Sequence, residues 1–166
     1  MTRIALLAAL LVTAGCGLQP VYSGGSRSAA ASLLANIEVS PIADRSGYLV
    51  RQALLETLGG RGDASSGSGY RLDIKLDDDI IGFGVRGDDS ISRERRQLRA
   101  RWQLVDSASG NVVIDASART DAGIDVVRSQ YAVVAAETAA LERLADEIAR
   151  QITARIALYA RTQAAR

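Results

Sequence analysis

From Tyr70 to Asp77 apolar and charged residues alternate without a break, the period of a strand with one buried and one wet face. Tyr70, Leu72, Ile74 and Leu76 fall on the inner side, and Arg71, Asp73, Lys75 and Asp77 on the outer. A second alternating run from Gln97 turns Leu98, Ala100, Trp102 and Leu104 inward. The Ser109-Gly110-Asn111 turn follows, and Val112 to Arg119 completes a hairpin. Upstream, Ile37-Glu38-Val39 is a short strand that Pro41 ends or confines to a sheet edge. Val50, Leu54 and Leu58 recur at helical spacing, predicting a helix over residues 47–58 with Ser46 as N-cap and Gly59-Gly60 as its left-handed stop. Leu141, Leu144, Ile148, Ile152, Ile156 and Tyr159 step by three and four through a longer helix at residues 131–159. On its wet side Asp146 and Arg150 stand one turn apart and can pair. Strands with a single apolar face favour antiparallel pairing with cover on one side. The expected fold is therefore α+β: a two-layer sandwich, in the order β-α-β-β-β-α, with a mostly antiparallel four-stranded sheet and both helices on one face.

Between the two clear strands, residues 79–96 hold Gly82, Gly84 and Gly87 and read as a long loop, of the kind that carries function in compact domains. The loop opens with the apolar Ile80-Ile81-Gly82-Phe83-Gly84-Val85. Either this segment extends the second strand into the core, or Ile80, Ile81, Phe83 and Val85 insert against a partner or lipid, the glycines allowing the bend. Arginines gather around it: Arg86 in the loop, Arg93, Arg95 and Arg96 before the third strand, and Arg99 and Arg101 on that strand's outer face. Guanidinium groups match phosphate oxygens bidentately, which suits a phosphorylated glycolipid. A solvated strand face, balanced by Glu94 and nearby aspartates, is the plainer reading.

Twenty basic and 19 acidic residues leave a net charge of +1, which argues against nucleic-acid binding driven by bulk charge. There is no histidine, one cysteine and a single lysine, Lys75, that points outward on a strand. General acid–base work would fall to carboxylates, and Ser107 and Ser109 have no base to activate them. Asp77-Asp78-Asp79 lacks the glycine-centred spacing of calcium loops, and neighbours on a strand point to opposite faces. Neither an enzyme, a metal site nor a cofactor is expected.

At the N-terminus Arg3 precedes the apolar run Ile4-Ala5-Leu6-Leu7-Ala8-Ala9-Leu10-Leu11-Val12, then Thr13-Ala14-Gly15-Cys16. That order is a signal peptide over residues 1–15, its apolar run about half the roughly twenty residues a transmembrane helix needs. Small residues abutting a cysteine resemble the lipobox of bacterial lipoproteins, although Thr13 replaces the usual leucine. Cys16 is then the lipidation site, and the class's acyl chains would anchor it stably. Gly17 is not the aspartate that marks inner-membrane retention in some lipoproteins, so the outer membrane is expected. Residues 16–35, rich in Gly, Ser and Ala, read as a lipidated tether, 36–160 as the periplasmic domain and 161–166 as a tail.

Cys16-Gly17-Leu18-Gln19-Pro20-Val21-Tyr22, Ile37-Glu38-Val39-Ser40-Pro41-Ile42-Ala43-Asp44-Arg45, the hairpin Trp102-Gln103-Leu104-Val105-Asp106 with Gly110-Asn111-Val112-Val113, and Ser129-Gln130-Tyr131-Ala132 through Leu144-Ala145-Asp146-Glu147-Ile148 to Ile156-Ala157-Leu158-Tyr159 together resemble the LPS-assembly lipoprotein LptE family, in its alphaproteobacterial form. The resemblance implies a protein that sits in the β-barrel of LptD in the outer membrane, assisting its folding, plugging it and aiding insertion of lipopolysaccharide into the outer leaflet. It also implies contact with lipopolysaccharide through basic side chains. The alternative to this leading reading is a membrane-anchored periplasmic lipoprotein serving another ligand or envelope assembly. Replacing Cys16→Ser should release the chain from the membrane fraction; unchanged attachment on cell fractionation would remove the lipoprotein reading.

Overall fold

The computed structural model describes residues 33–58, 69–85 and 91–164. Cys16, the Gly59-Gly60 stop and Arg86 therefore lie outside the described residues. Strand β1 (Ile37–Val39) is followed by helix α1 (Asp44–Thr57), strands β2 (Tyr70–Val85), β3 (Ile91–Asp106) and β4 (Val112–Asp125), and helix α2 (Gln130–Ala164). The sheet order is β1-β2-β3-β4. β2, β3 and β4 form an antiparallel meander, while β1 lies parallel to β2 in the register Ile37↔Tyr70, reached through the α1 crossover. This is the expected two-layer α+β sandwich, in the expected element order. Among the described residues no helix is long and apolar enough to cross a membrane.

Alternation decides which face is covered. Leu72 and Ile74 of β2, and Leu98, Ala100, Trp102 and Leu104 of β3, are buried on the inner side. Against them α2 lays its stripe of Leu141, Leu144, Ile148, Ile152 and Ile156, and α1 adds Val50 and Leu54. Each such aliphatic side chain removed from water contributes about 1.5–3 kcal/mol, so the seam between α2 and the sheet outweighs any surface charge pair. Ala145, Ala149, Ala157 and Ala160 are buried with them, small enough to let α2 lie close against its neighbours.

The largest departure from the sequence reading is at residues 79–96. No long loop forms: β2 continues to Val85 and β3 resumes at Ile91, pairing Ile80 with Arg96, Ile81 with Arg95 and Phe83 with Arg93. Alternation persists through the glycines, but three inward positions, Asp78, Glu94 and Arg96, are charged, which hides the pattern. The ion pair between Asp78 and Arg96 is what makes those two positions tolerable. Gly84, at φ +76°, provides a left-handed residue near the tip, where the Ser92 hydroxyl donates to the Gly84 carbonyl at 2.6 Å.

Smaller differences have local causes. Helix α1 begins at Asp44 rather than near Gly47; Ala43 is its N-cap, with no side-chain cap bond. Ser46 is buried in the first turns instead of capping them. Arg150 pairs with Glu147 at 2.7 Å, not with Asp146. Arg150 and Gln151 both donate to that carboxylate and hold its pKa below the ordinary glutamate range. Helix α2 runs on to Ala164, several residues past the expected end.

Gly47 faces the backbone just before α1, where an added Cβ would stand 2.7 Å from the Ile42 carbonyl oxygen. Gly→Ala inside a helix ordinarily gains about 0.5–1 kcal/mol. Here the contact with a backbone oxygen reverses the sign: Gly47→Ala should lower the urea midpoint and cost about 1–3 kcal/mol.

Candidate functional site: an uncovered sheet face and a hairpin end

With both helices on one side, the outer face of the sheet is left open, and strand register sets what it displays. Down the middle β3 presents Arg93, Arg95, Arg99 and Arg101. On one flank β2 offers Asp73, Lys75, Asp77 and Asp79; on the other β4 offers Asp115, Arg119, Asp121 and Asp125. A cationic row thus runs between two mainly acidic ones. Arg93 reaches Asp125 at 3.2 Å, Arg95 reaches Asp121 at 3.7 Å and Arg101 reaches Asp115 at 3.0 Å. Gln103 and Arg101 both donate to Asp115, which holds its carboxyl below the usual aspartate range. All these side chains are exposed, and exposed pairs contribute at most about 1 kcal/mol, so the guanidinium groups remain exchangeable for other oxyanions. Arg99 stands opposite Arg119 and has no ion pair among the described residues. On its other side Arg99 stands opposite Asp77 of β2, so the centre of the row has one acidic and one basic neighbour.

Arg96 belongs elsewhere. It points inward, and its guanidinium grips Asp78 through both carboxylate oxygens, at 2.9 and 2.8 Å, while Nη1 donates to the Glu137 carbonyl of α2 at 3.1 Å. The bond to Asp78 raises its pKa further, against the opposing effect of burial. Arg96 is therefore a latch that ties the hairpin to the first turns of α2. Of the arginines singled out from the sequence, Arg93, Arg95, Arg99 and Arg101 share one face, Arg96 does not, and Arg86 lies outside the described residues.

The apolar segment occupies the far end of the β2–β3 hairpin. Ile81 and Phe83 lie on the outer face beside the arginine row, and the Arg95 guanidinium sits 5.4 Å from the centre of the Phe83 ring. Ile80 is on the inner side, yet it too is exposed. Val85 closes β2 opposite Ile91. Sequence reasoning missed the residues that widen this end: Val127, Tyr131 and Val134 are exposed where α2 begins, and Tyr131 is 87% accessible. β4 ends with Asp125 beside Arg93, so the start of α2 is at the same end as the hairpin tip. A signal existed: Val134 precedes Leu141 by one heptad on the same stripe, which runs past the core it serves.

The serines near the β3–β4 turn are structural. Asp106 accepts from the Ser109 and Ala108 amides and from the Ser109 hydroxyl, which holds its carboxyl low and closes the turn before Gly110. Asp78 is committed to Arg96, and among the described residues no cluster of three His, Cys, Asp or Glu could hold a metal ion. Among the described residues the arrangement leaves a charged sheet face and an apolar hairpin end exposed.

The comparisons with known proteins agree on what such a fold belongs to. The model of the LptE lipopolysaccharide-assembly family matches residues 34–156, and the chain belongs to that family, whose role is in lipopolysaccharide assembly at the cell envelope. Among solved structures, a Caulobacter crescentus protein designated a lipoprotein is 28% identical, with a TM-score of 0.65, over 82% of this chain and 98% of its own. A minor lipoprotein of Acinetobacter baumannii (15% identity, TM-score 0.55, 74% of this chain and 90% of that one) shares the fold. So does lipoprotein B of Nitrosomonas europaea (12%, 0.58, 74% and 82%). No curated protein matches the sequence.

The latch makes a double-mutant prediction. Asp78→Leu alone strands a poorly hydrated guanidinium and Arg96→Leu alone strands a carboxylate; each should cost about 2–4 kcal/mol in denaturant unfolding. The double variant should be more stable than either single one, because it removes both charges together. Strict additivity would show that the pair is not coupled.

Proposed function

We propose that this chain is a non-enzymatic outer-membrane lipoprotein, held on the periplasmic side through acylated Cys16, that assists folding of the LptD barrel, plugs it and aids lipopolysaccharide insertion. The observation that carries the proposal is the uncovered sheet face with its arginine row running into an apolar hairpin end. A plug inside a barrel needs an outer surface that matches a polar wall without a solvent layer, and a face of alternating charged rows is suited to that. Arg93, Arg95, Arg99 and Arg101 offer planar donors to the phosphates of lipopolysaccharide. Ile80, Ile81, Phe83 and Val85, widened by Val127, Tyr131 and Val134, form the contact with the barrel or with acyl chains, which relieves the exposure of Ile80, Ile81, Phe83, Val127, Tyr131 and Val134 to water. Membership of the lipopolysaccharide-assembly family supports the partner and the cargo together.

Affinity purification of the tagged chain from detergent-solubilised membranes should bring down LptD. Its absence, with another envelope protein in its place, would move the chain to a different assembly. From the same membranes the variant carrying Arg99→Glu and Arg101→Glu should still purify, but its binding of lipopolysaccharide should fall by roughly tenfold or more, the scale of losing charge-assisted hydrogen bonds. Binding at the wild-type level would remove the arginine row from that role.

A further inference from the structure

Strand β2 is paired along one side only for most of its length. β1 contributes three residues, Ile37–Val39, opposite Tyr70, Arg71 and Leu72, and no described strand pairs with β2 beyond them. Pro41, with no N–H to give and a fixed φ, follows at once. The bonds from Tyr70 N–H to the Asn36 carbonyl and from Ser40 N–H to the Leu72 carbonyl show that even-numbered residues of β2 direct their backbone groups toward β1. By alternation, the N–H and C=O groups of Ile74, Leu76, Asp78 and Ile80 face the open side. A cavity borders each face of the sheet at this point. On the outer side a space of about 280 Å³ is lined by Ser40, Pro41, Asp73, Lys75, Arg101 and Gln103. Toward the inner side a space of about 520 Å³ runs along the edge between residues 74–78 of the strand and Ile42, Ala43, Asp44 and Ser46 at the start of α1. An added strand needs such an arrangement: a free backbone edge for hydrogen bonds, and room above and below for alternate side chains.

We infer that the open edge of β2, from Ile74 to Ile80, receives an extended segment of a partner chain whose inward side chains are apolar and whose outward ones are basic. Ile42, Ile74 and Leu76 supply an apolar inner wall. Outward, Asp77 and Asp79 are exposed and carry no ion pair among the described residues; Asp77 stands opposite Arg99 of β3, and Asp79 opposite the neutral Gln97. Arg or Lys on an added strand would give Asp79 the cationic cross-strand partner that β3 does not supply. A second copy of this chain fits poorly. The other open edge, β4, is also mainly acidic through Asp115, Asp121 and Asp125, so edges of two copies would repel. This edge adjoins the arginine row, Arg101 lining the outer space, but its test reads backbone protection and does not depend on lipopolysaccharide or on LptD.

The full chain in detergent micelles, titrated with a synthetic peptide alternating arginine and valine, should show amide exchange at Ile74, Leu76, Asp78 and Ile80 slowed by roughly tenfold in a saturable way. A glutamate–valine peptide should leave those amides unchanged, and the variant with Asp77→Lys and Asp79→Lys should exchange the two preferences. Near-ultraviolet dichroism of Trp102 checks that the variant is folded, and Asp79→Lys alone serves if it is not. The inference is overturned if neither peptide protects the edge, if both protect it equally, if protection falls on β4 instead, or if it grows with chain concentration in the absence of peptide, which would make the occupant a second copy.

Discussion

The packing of one stripe of α2 on the inner row of β3 is the contact on which the rest of this molecule depends. Leu98, Ala100, Trp102 and Leu104 are fully or almost fully buried beneath Leu141, Ile148, Ile152 and Ile156, and α1 closes the remaining gap with Val50 and Leu54. Hydrophobic burial is non-directional, so by itself it would hold many arrangements. Direction comes from the pleat. A strand's side chains alternate strictly, so covering one row of β3 obliges the other row to face away. Arg93, Arg95, Arg99 and Arg101 are in line because Leu98, Ala100 and Trp102 are buried, and the charged outer face is a by-product of the core.

The same seam accounts for the two ends of the molecule. Near β1 and the β3–β4 turn the apolar core is covered, and Asp106 closes the turn with bonds from Ser109. At the other end β2 and β3 outrun the helices, and apolar side chains are left without cover: Ile80, Ile81 and Phe83 on the hairpin, Val127, Tyr131 and Val134 where α2 begins. A small domain seldom leaves apolar groups together in water unless something meets them. The Arg96 latch sits at the boundary between these regions. Its ion pair with Asp78 and its bond to the Glu137 carbonyl carry the packing of α2 one step further along the hairpin than apolar side chains alone would.

The described residues present contact surfaces on the open sheet face and at the hairpin end. Polar side chains between them are tied to local structure, as Ser40 to Asp73, Ser92 to the Gly84 carbonyl and Ser109 to Asp106. The family to which the chain belongs is one of lipopolysaccharide assembly, and what this fold exposes is set by side-chain charge and by where the core ends.

Much of this was legible in the order of residues. Period-two alternation located β2, β3 and β4, three-and-four spacing located both helices, and the buried faces follow directly because those periods are properties of local backbone geometry. The arginine row was legible too, since Arg99 and Arg101 alternate with Ala100 and Trp102. Tertiary structure alone decided the rest. Asp78 and Arg96 read as an interruption of the strands until they are seen to neutralise each other across the hairpin, an interaction between positions 18 residues apart that no local period contains. The parallel placement of β1, the open edge it leaves on β2, and the meeting of the hairpin tip with the start of α2 are likewise facts about distant segments. Local periodicity says which side of an element is apolar; only the packed chain says where that side runs out of partners.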